Sequence, residues 1–317
     1  MEDLDLHILS PHFTNPEAAV EYLERLRWPD GRVCPHCGIV DSDDREHYRV
    51  KRANSNRKLW KCYSCRKQFT VTVGTIFADS HIPLNKWLLA FYLLCASKKG
   101  MSALQLQRML GVSYKTSWFM CHRIRWAMTE PAFTTKLSGV VEADETYVGG
   151  KERNRKRQDK QKKTGRGTDK APVMLLVERG GQVRSRHVAN VSGDEVKGFI
   201  RINVDPSARI MTDSFASYRG LCHEFAEHGV VNHADGEYVR GDVHTNTEEN
   251  YFSLLKRGIN GSYHHVSKQH LHRYLSEFDF RYNNRESLGV NDMGRTANAL
   301  KGAKGKRLSY RPLTTTD

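Results

Sequence analysis

The chain has 317 residues, 38% hydrophobic and 27% charged, an ordinary soluble composition with enough apolar material for two or three domains. Fifty Lys and Arg against 36 Asp and Glu leave a formal charge of +14, which points to a polyanionic partner rather than a small neutral metabolite. The most apolar run, residues 87–96, is far shorter than the roughly 20 residues a membrane span needs, and the acidic start (Met1, Glu2, Asp3, Leu4, Asp5) has the wrong sign for a secretory signal. The expectation is a cytoplasmic protein without a membrane segment, whose seven cysteines are metal ligands or core residues.

Cys34-Pro35-His36-Cys37 and Cys62-Tyr63-Ser64-Cys65 are separated by 24 residues. Each Cys-x-x-Cys closes a tight turn over one ion, and four thiolates satisfy the tetrahedral preference of zinc. A redox dithiol has no use for a second pair, so Cys34, Cys37, Cys62 and Cys65 are assigned a structural Zn²⁺. The alternating segments 47–50 and 58–61 predict the strands of a ribbon hairpin, with the surplus spacing placed in a polar loop over residues 54–57. Cys95, Cys121 and Cys222 are expected to be inert core thiols.

From Leu84 the period becomes helical, with Trp87, Leu88, Phe91, Tyr92 and Cys95 on one broad apolar face. Ser102 is a candidate N-cap for a helix over 103–110, Gly111 ends it, and Ser113 starts another over 114–128. This spacing is that of a helix-turn-helix, whose second helix would present Lys115, Arg123 and Arg125 to a DNA groove. A plain helical pair joining two domains is the alternative.

The segment 139–148 has strand composition but carries Glu142, Asp144 and Glu145. Side chains alternate across a strand, so Glu142 and Asp144 share one face and Glu145 points to the other. A carboxylate on a packed strand is expensive, and a metal ion is the usual compensation. A second acid, Asp213, ends a predicted strand over 208–212, where open sheets place their sites; the alternative is an N-cap for the following turn. The third set lies on a helix predicted over 246–257. Thr245-x-x-Glu248 fits a capping box, which leaves Glu249 as the freer acid, with Lys256 two turns further along nearly the same face. Asn246 shares that face. Two divalent ions about 4 Å apart, held by acids from different elements, can activate an attacking oxygen and stabilise the leaving oxygen of a phosphodiester.

Positive charge is concentrated in two stretches. Residues 151–170 hold ten Lys or Arg against three acids, and residues 295–311 hold six with no acid. Both read as loop and tail, and Lys156 and Lys162 in the first are candidate phosphate contacts alongside Lys256 and Arg257; a solvated face is the alternative.

Together the cysteine knuckles, Leu110-Gly111-Val112-Ser113, Glu142-Ala143-Asp144-Glu145-Thr146-Tyr147-Val148-Gly149-Gly150-Lys151, Met211-Thr212-Asp213, Val243-His244-Thr245-Asn246-Thr247-Glu248-Glu249 and Leu255-Lys256-Arg257-Gly258 resemble the DDE transposases of prokaryotic insertion sequences, in the subfamily with an N-terminal zinc ribbon. The resemblance implies an α/β, ribonuclease-H-like catalytic domain with a mixed sheet flanked by helices. It implies binding of double-stranded DNA at terminal inverted repeats, Mg²⁺- or Mn²⁺-dependent cleavage and strand transfer with two ions, and a homo-oligomer in the synaptic complex. Asp144 and Asp213 are carried over as the first two metal ligands and Glu249 is taken as the third, with Glu248 and Asn246 as alternatives, since some members use Asn there. The expected organisation is a helical arm (1–27), a zinc ribbon (28–76), a helix-turn-helix (77–130), the catalytic domain (131–290, with the basic insertion 151–170) and a basic tail (291–317). A DNA-binding regulator without catalysis and a structure-selective nuclease are the rival functions.

Overall fold

The computed structural model describes residues 11–52, 55–129, 135–150, 170–232, 235–237 and 239–308. It divides into two compact units, one of Met1–Ser97, Met101–Met128 and Val290–Asp317, the other of Lys98–Gly100 and Thr129–Gly289. The described residues of the expected arm, ribbon and tail fall in the first unit, as do those of the expected helix-turn-helix apart from residues 98–100 and 129.

That unit opens with α1 (Pro16–Arg27), where the Asn15 side chain accepts from the Glu17 and Ala18 amides and Pro16 occupies the first turn without an amide to satisfy. The ribbon is an antiparallel sheet of β1 (Tyr48–Arg52), β2 (Ser55–Lys61) and β3 (Gln68–Phe69). Tyr48 pairs with Lys61 and Arg52 with Ser55, so the ladder runs through most of the segment expected as a polar loop. Part of the surplus length goes instead into a turn in which Ser42 and Arg45 bridge. Lys58 pairs with Glu21 at 2.8 Å and Trp60 Nε1 donates to Glu24 at 2.9 Å, tying α1 to the ribbon.

In α2 (Leu84–Ala96), Leu84, Trp87, Leu88, Phe91, Leu94 and Cys95 are all buried, as a helix apolar on most of its circumference requires. α3 (Ala103–Leu110) is capped by Ser102, which accepts from the Gln105 amide at 3.2 Å, and ends at Gly111 in the left-handed region (φ 62). Ser113 accepts from the Thr116 amide at 3.2 Å and starts α4 (Tyr114–Met128). Both helices therefore form where their caps place them.

The second unit is built on a five-stranded mixed sheet whose strands in spatial order are β6 (Val183–His187), β5 (Ala171–Glu178), β4 (Val140–Val148), β7 (Arg209–Asp213) and β8 (Glu227–Val231). β4, β5 and β6 form an antiparallel meander. After α5 (Gly193–Asn203), β7 and β8 add in parallel to the other edge of β4. A hairpin of β9 (Val239–Arg240) and β10 (Val243–His244) leads into α6 (Asn246–Gly258), a π turn (Ile259–Tyr263) and α7 (Lys268–Asn283). Alternation on the strands separates two cores. Val141, Ala143 and Ile210 pack against Val196 and Ile200 of α5, while Val173, Leu175 and Val177 pack against Leu255 of α6 and Leu275 of α7. Strand order and flanking helices are those of a ribonuclease-H-like domain. Gly258 does not end α6 by its φ; it lies against the Phe278 ring and the Lys99 carbonyl, where a Cβ would collide.

One last helix, α8 (Asp292–Lys301), returns to the first unit and corrects the expectation of a loose tail from Arg295. Asn291 caps it, Met293, Ala299 and Leu300 are buried, and buried Arg295 donates to the Cys95 carbonyl at 3.1 Å. Three apolar residues among many cations were enough to bury one face, because the neighbouring α2 is apolar on most sides.

Candidate active site and metal centre

Two knuckles form the first centre. The four sulfurs of Cys34, Cys37, Cys62 and Cys65 lie within 4.8 Å of one another, with Cys34–Cys65 at 3.7 Å and Cys37–Cys62 at 3.6 Å. A zinc ion with bonds of about 2.3 Å separates tetrahedral sulfurs by about 3.8 Å, so the cluster fits that ion. Burial pushes the Cys34 thiol up to about 12; at Cys62 burial is outweighed by the amides of Cys65 and Ser64, which bring it down to about 7. Among the other cysteines, Cys95 and Cys121 are buried as expected, whereas Cys222 is exposed.

The second centre lies where the carboxyl end of β7 meets the middle of β4. These strands run in parallel with Ala143 beside Thr212, so Asp144 and Asp213, one residue further on each, are neighbours. α6 crosses above them and brings Glu248, not Glu249, to Asp144. Glu248 is buried (2% exposed) and hydrogen-bonded to the Asp144 carboxyl, and its Oε2 has no hydrogen-bond partner. Glu249 is exposed and lines the adjoining groove, and Asn246 is exposed at the start of the helix. The choice of Glu249 rested on a capping box that does not form, since the Thr245 side chain makes no cap bond.

Electrostatics mark this cluster as unbalanced. Burial, with the nearby charges of Glu145 and Asp213, pushes Asp144 up to about 7, against the opposing hydrogen bond from Glu248. Glu248 is raised further, by burial first and then by the Asp144 charge. Two carboxyls whose charged forms are disfavoured by burial and by each other, with an orphaned oxygen between strand and helix, are the donor set a hard divalent cation accepts. Tyr218, buried beneath the site, donates to Glu145 at 2.9 Å on the opposite face of β4, where alternation places that acid.

Glu142, on the same face as Asp144, is wholly buried but already satisfied. It accepts from Arg179 Nε at 2.6 Å, the Thr247 amide at 2.8 Å, Thr247 Oγ1 at 2.9 Å and the Glu248 amide at 3.1 Å. Its oxygens are thus committed to the first turn of α6 and to an arginine.

An open groove of about 750 Å³ adjoins the acids, lined by Asp144, Glu145, Glu249, Lys256, Arg257 and Asn260 among others. Lys256 and Arg257 are exposed there, with Arg257 Nε bonded to the Ser253 carbonyl at 3.1 Å. In α4 the expected cations divide. Lys115 is exposed in the first turn, but Arg125 is 2% exposed, and Arg123 donates to the Ile76, Ala78 and Leu308 carbonyls. Arg125 sits on the face shared by Cys121, Ile124 and Met128, so helical rotation turns it inward. At the C-terminus Lys306 donates to the Ala127 carbonyl and Arg307 pairs with Asp79, so these charges are also engaged within the first unit. Lys156 and Lys162 lie outside the described residues.

Comparison with known proteins agrees with this anatomy. The family described as an ISXO2-like transposase domain matches residues 136–283, and the transposase zinc-ribbon domain matches residues 14–68. A protein of Halobacterium salinarum, described as an uncharacterized protein in transposable element ISH50, is 34% identical over 282 residues, 85% of this chain and 91% of its own length. An uncharacterized transposase-like protein of Haemophilus influenzae is 29% identical over 99 residues, 31% of this chain and 79% of that protein. No helix among the described residues is long and apolar enough to cross a membrane. A four-thiolate ribbon, acids on adjacent parallel strands and a relative aligned along most of its length lead to one conclusion: the chain belongs to the ISXO2-like transposases with an N-terminal zinc ribbon.

Proposed function

We propose that this transposase binds double-stranded DNA at terminal inverted repeats and cuts and joins phosphodiesters, with Asp144, Asp213 and Glu248 as ligands of Mg²⁺ or Mn²⁺. The observation that carries the reading is the direct Asp144–Glu248 contact beside Asp213, opening on a groove with two exposed cations. Bound divalent ions supply activation of the attacking oxygen and stabilisation of the leaving one. The chain itself holds the carboxylates convergent and keeps Glu248 buried, while Lys256 and Arg257 bind backbone phosphates along the groove. Hydrolysis at the element's end frees a 3′-hydroxyl, which then displaces a phosphodiester oxygen of target DNA, so no covalent link to the protein is needed. Joining two ends in concert requires two copies of the site, hence a homo-oligomer on DNA. Residues 151–170 and the exposed first turn of α4 are further candidate phosphate contacts.

The test is incubation of the zinc-loaded protein with the element's end sequences and target DNA, with and without Mg²⁺, scored for binding, nicking and joined product. Metal-dependent nicking and joining is expected. Binding without nicking would leave a regulator, and nicking without joining a nuclease.

A further inference from the structure

We propose that Glu142 is a positioning residue: it caps α6 from the neighbouring strand and thereby sets the register at which Glu248 meets Asp144, and with it the affinity for the divalent cation. This rests on the reading of Asp144 and Glu248 as metal ligands. A helix normally satisfies its first amides with its own N-cap side chain, but Thr245 makes no such bond. The acceptor comes instead from 105 residues earlier, as Glu142 takes the Thr247 and Glu248 amides and the Thr247 hydroxyl. Arg179 completes the arrangement. Its Nε binds Glu142, and its other two nitrogens donate to the Asp242 and His244 carbonyls at 2.8 and 2.9 Å, holding the chain that feeds into α6.

Glu248 is therefore gripped twice from one strand. Its amide is held by Glu142, and its carboxyl by Asp144, two residues further along the same face of β4. Two strand residues advance about 6.7 Å, so any shift of the cap along β4 is passed directly to the gap between the two acids. Glu142 does not need to touch the ion; its oxygens are already occupied by the helix and by Arg179. Groups that orient metal ligands in this way typically change affinity by about 10- to 100-fold when altered.

The test measures Mn²⁺ binding by electron paramagnetic resonance on the full-length, zinc-loaded protein, alongside thermal melting and hydrogen exchange in the first turn of α6. Glu142→Asp keeps the charge but shortens the reach by one methylene, so it reports position rather than electrostatics. A loss of Mn²⁺ affinity of about tenfold or more, with faster exchange at Thr247 and Glu248 in a folded protein, is expected. Wild-type affinity in folded Glu142→Asp overturns the proposal. Should that variant not fold, Thr247→Val removes a single donor to Glu142 and carries the same expectation at a loss of several-fold, with unchanged affinity again overturning it. Asp144→Asn separates this from the underlying reading: if it too binds Mn²⁺ normally, the ligand assignment falls and the positioning role with it. If it abolishes binding while Glu142→Asp does not weaken it, only the positioning role falls.

Discussion

The two candidate metal centres solve opposite problems. In the ribbon, four ligands come from two short turns in which the backbone itself shapes the site, with Gly38 at φ 78 and Arg66 at φ 61 closing the knuckles. The sulfurs already stand near the spacing that a tetrahedral ion imposes. In the ribonuclease-H-like unit, the acids come from two parallel strands and a helix, and the site is open to a groove on one side. A closed site is a structural staple, whereas an open one retains room for a substrate oxygen. The carboxylates are also left electrostatically incomplete, as the raised pKa of Asp144 and Glu248 records.

The largest effect that would break this contrast is at the acids. Asp144→Asn, Asp213→Asn and Glu248→Gln are each expected to lower DNA cleavage by about 10²- to 10³-fold or more while leaving DNA binding within a few-fold. Glu249→Gln should stay within about threefold, because that side chain is exposed. A Glu249 variant as damaged as Asp144→Asn, beside an active Glu248→Gln, would return the third position to Glu249.

At the other centre, zinc binding to four thiolates is worth roughly 10–16 kcal/mol in small domains. Cys62→Ser, or a chelator strong enough to strip the ion, should release one zinc per chain and abolish the ribbon's cooperative melting. Dialysis against a weak Mg²⁺ chelator should not. Atomic absorption with differential scanning calorimetry reads both, and retention of the ribbon transition after zinc loss would undo the structural assignment.

Proton competition gives a third, smaller effect confined to the acids. A carboxyl whose folded-state pKa is raised contributes stability fully present below its unfolded value and lost as pH rises through the folded one. For Asp144 that window runs from near 4 up to about 7, with Glu248 extending it upward. The melting temperature of the Mg²⁺-free protein should therefore fall from about pH 5 to about pH 8, added Mg²⁺ should oppose the fall, and Asp144→Asn should flatten it. A rise over that interval in the Mg²⁺-free protein would contradict the burial argument.

The smallest test lies away from both metals. Ser102→Ala removes the side-chain cap of α3 and should cost about 1 kcal/mol in denaturant unfolding without altering zinc or Mn²⁺ content.

Local spacing was sufficient wherever a feature is made by residues a few positions apart. The two knuckles, the Ser102 and Gly111 boundaries of α3, the strand that carries Asp144 and the strand that ends at Asp213 follow from turn chemistry, capping and alternation, which act within a few residues. Even the opposite directions of Glu142 and Glu145 were legible, since a strand repeats every two residues. Other features were decided by docking. Arg125 is buried and the stretch from Arg295 is partly helical because neighbouring apolar surface was available to cover them, and such surface leaves no mark in the local pattern.

The third acid shows the division most directly. Thr245-x-x-Glu248 is a sound capping box on local grounds, and it assigned Glu248 to the helix and Glu249 to the site. Glu142, more than a hundred residues earlier, supplies the cap instead and frees Glu248 to meet Asp144. Adjacent residues on a helix differ by about 100° in direction, so the sequence by itself determined that an acid would stand there, and tertiary contact alone decided which one faces the strand.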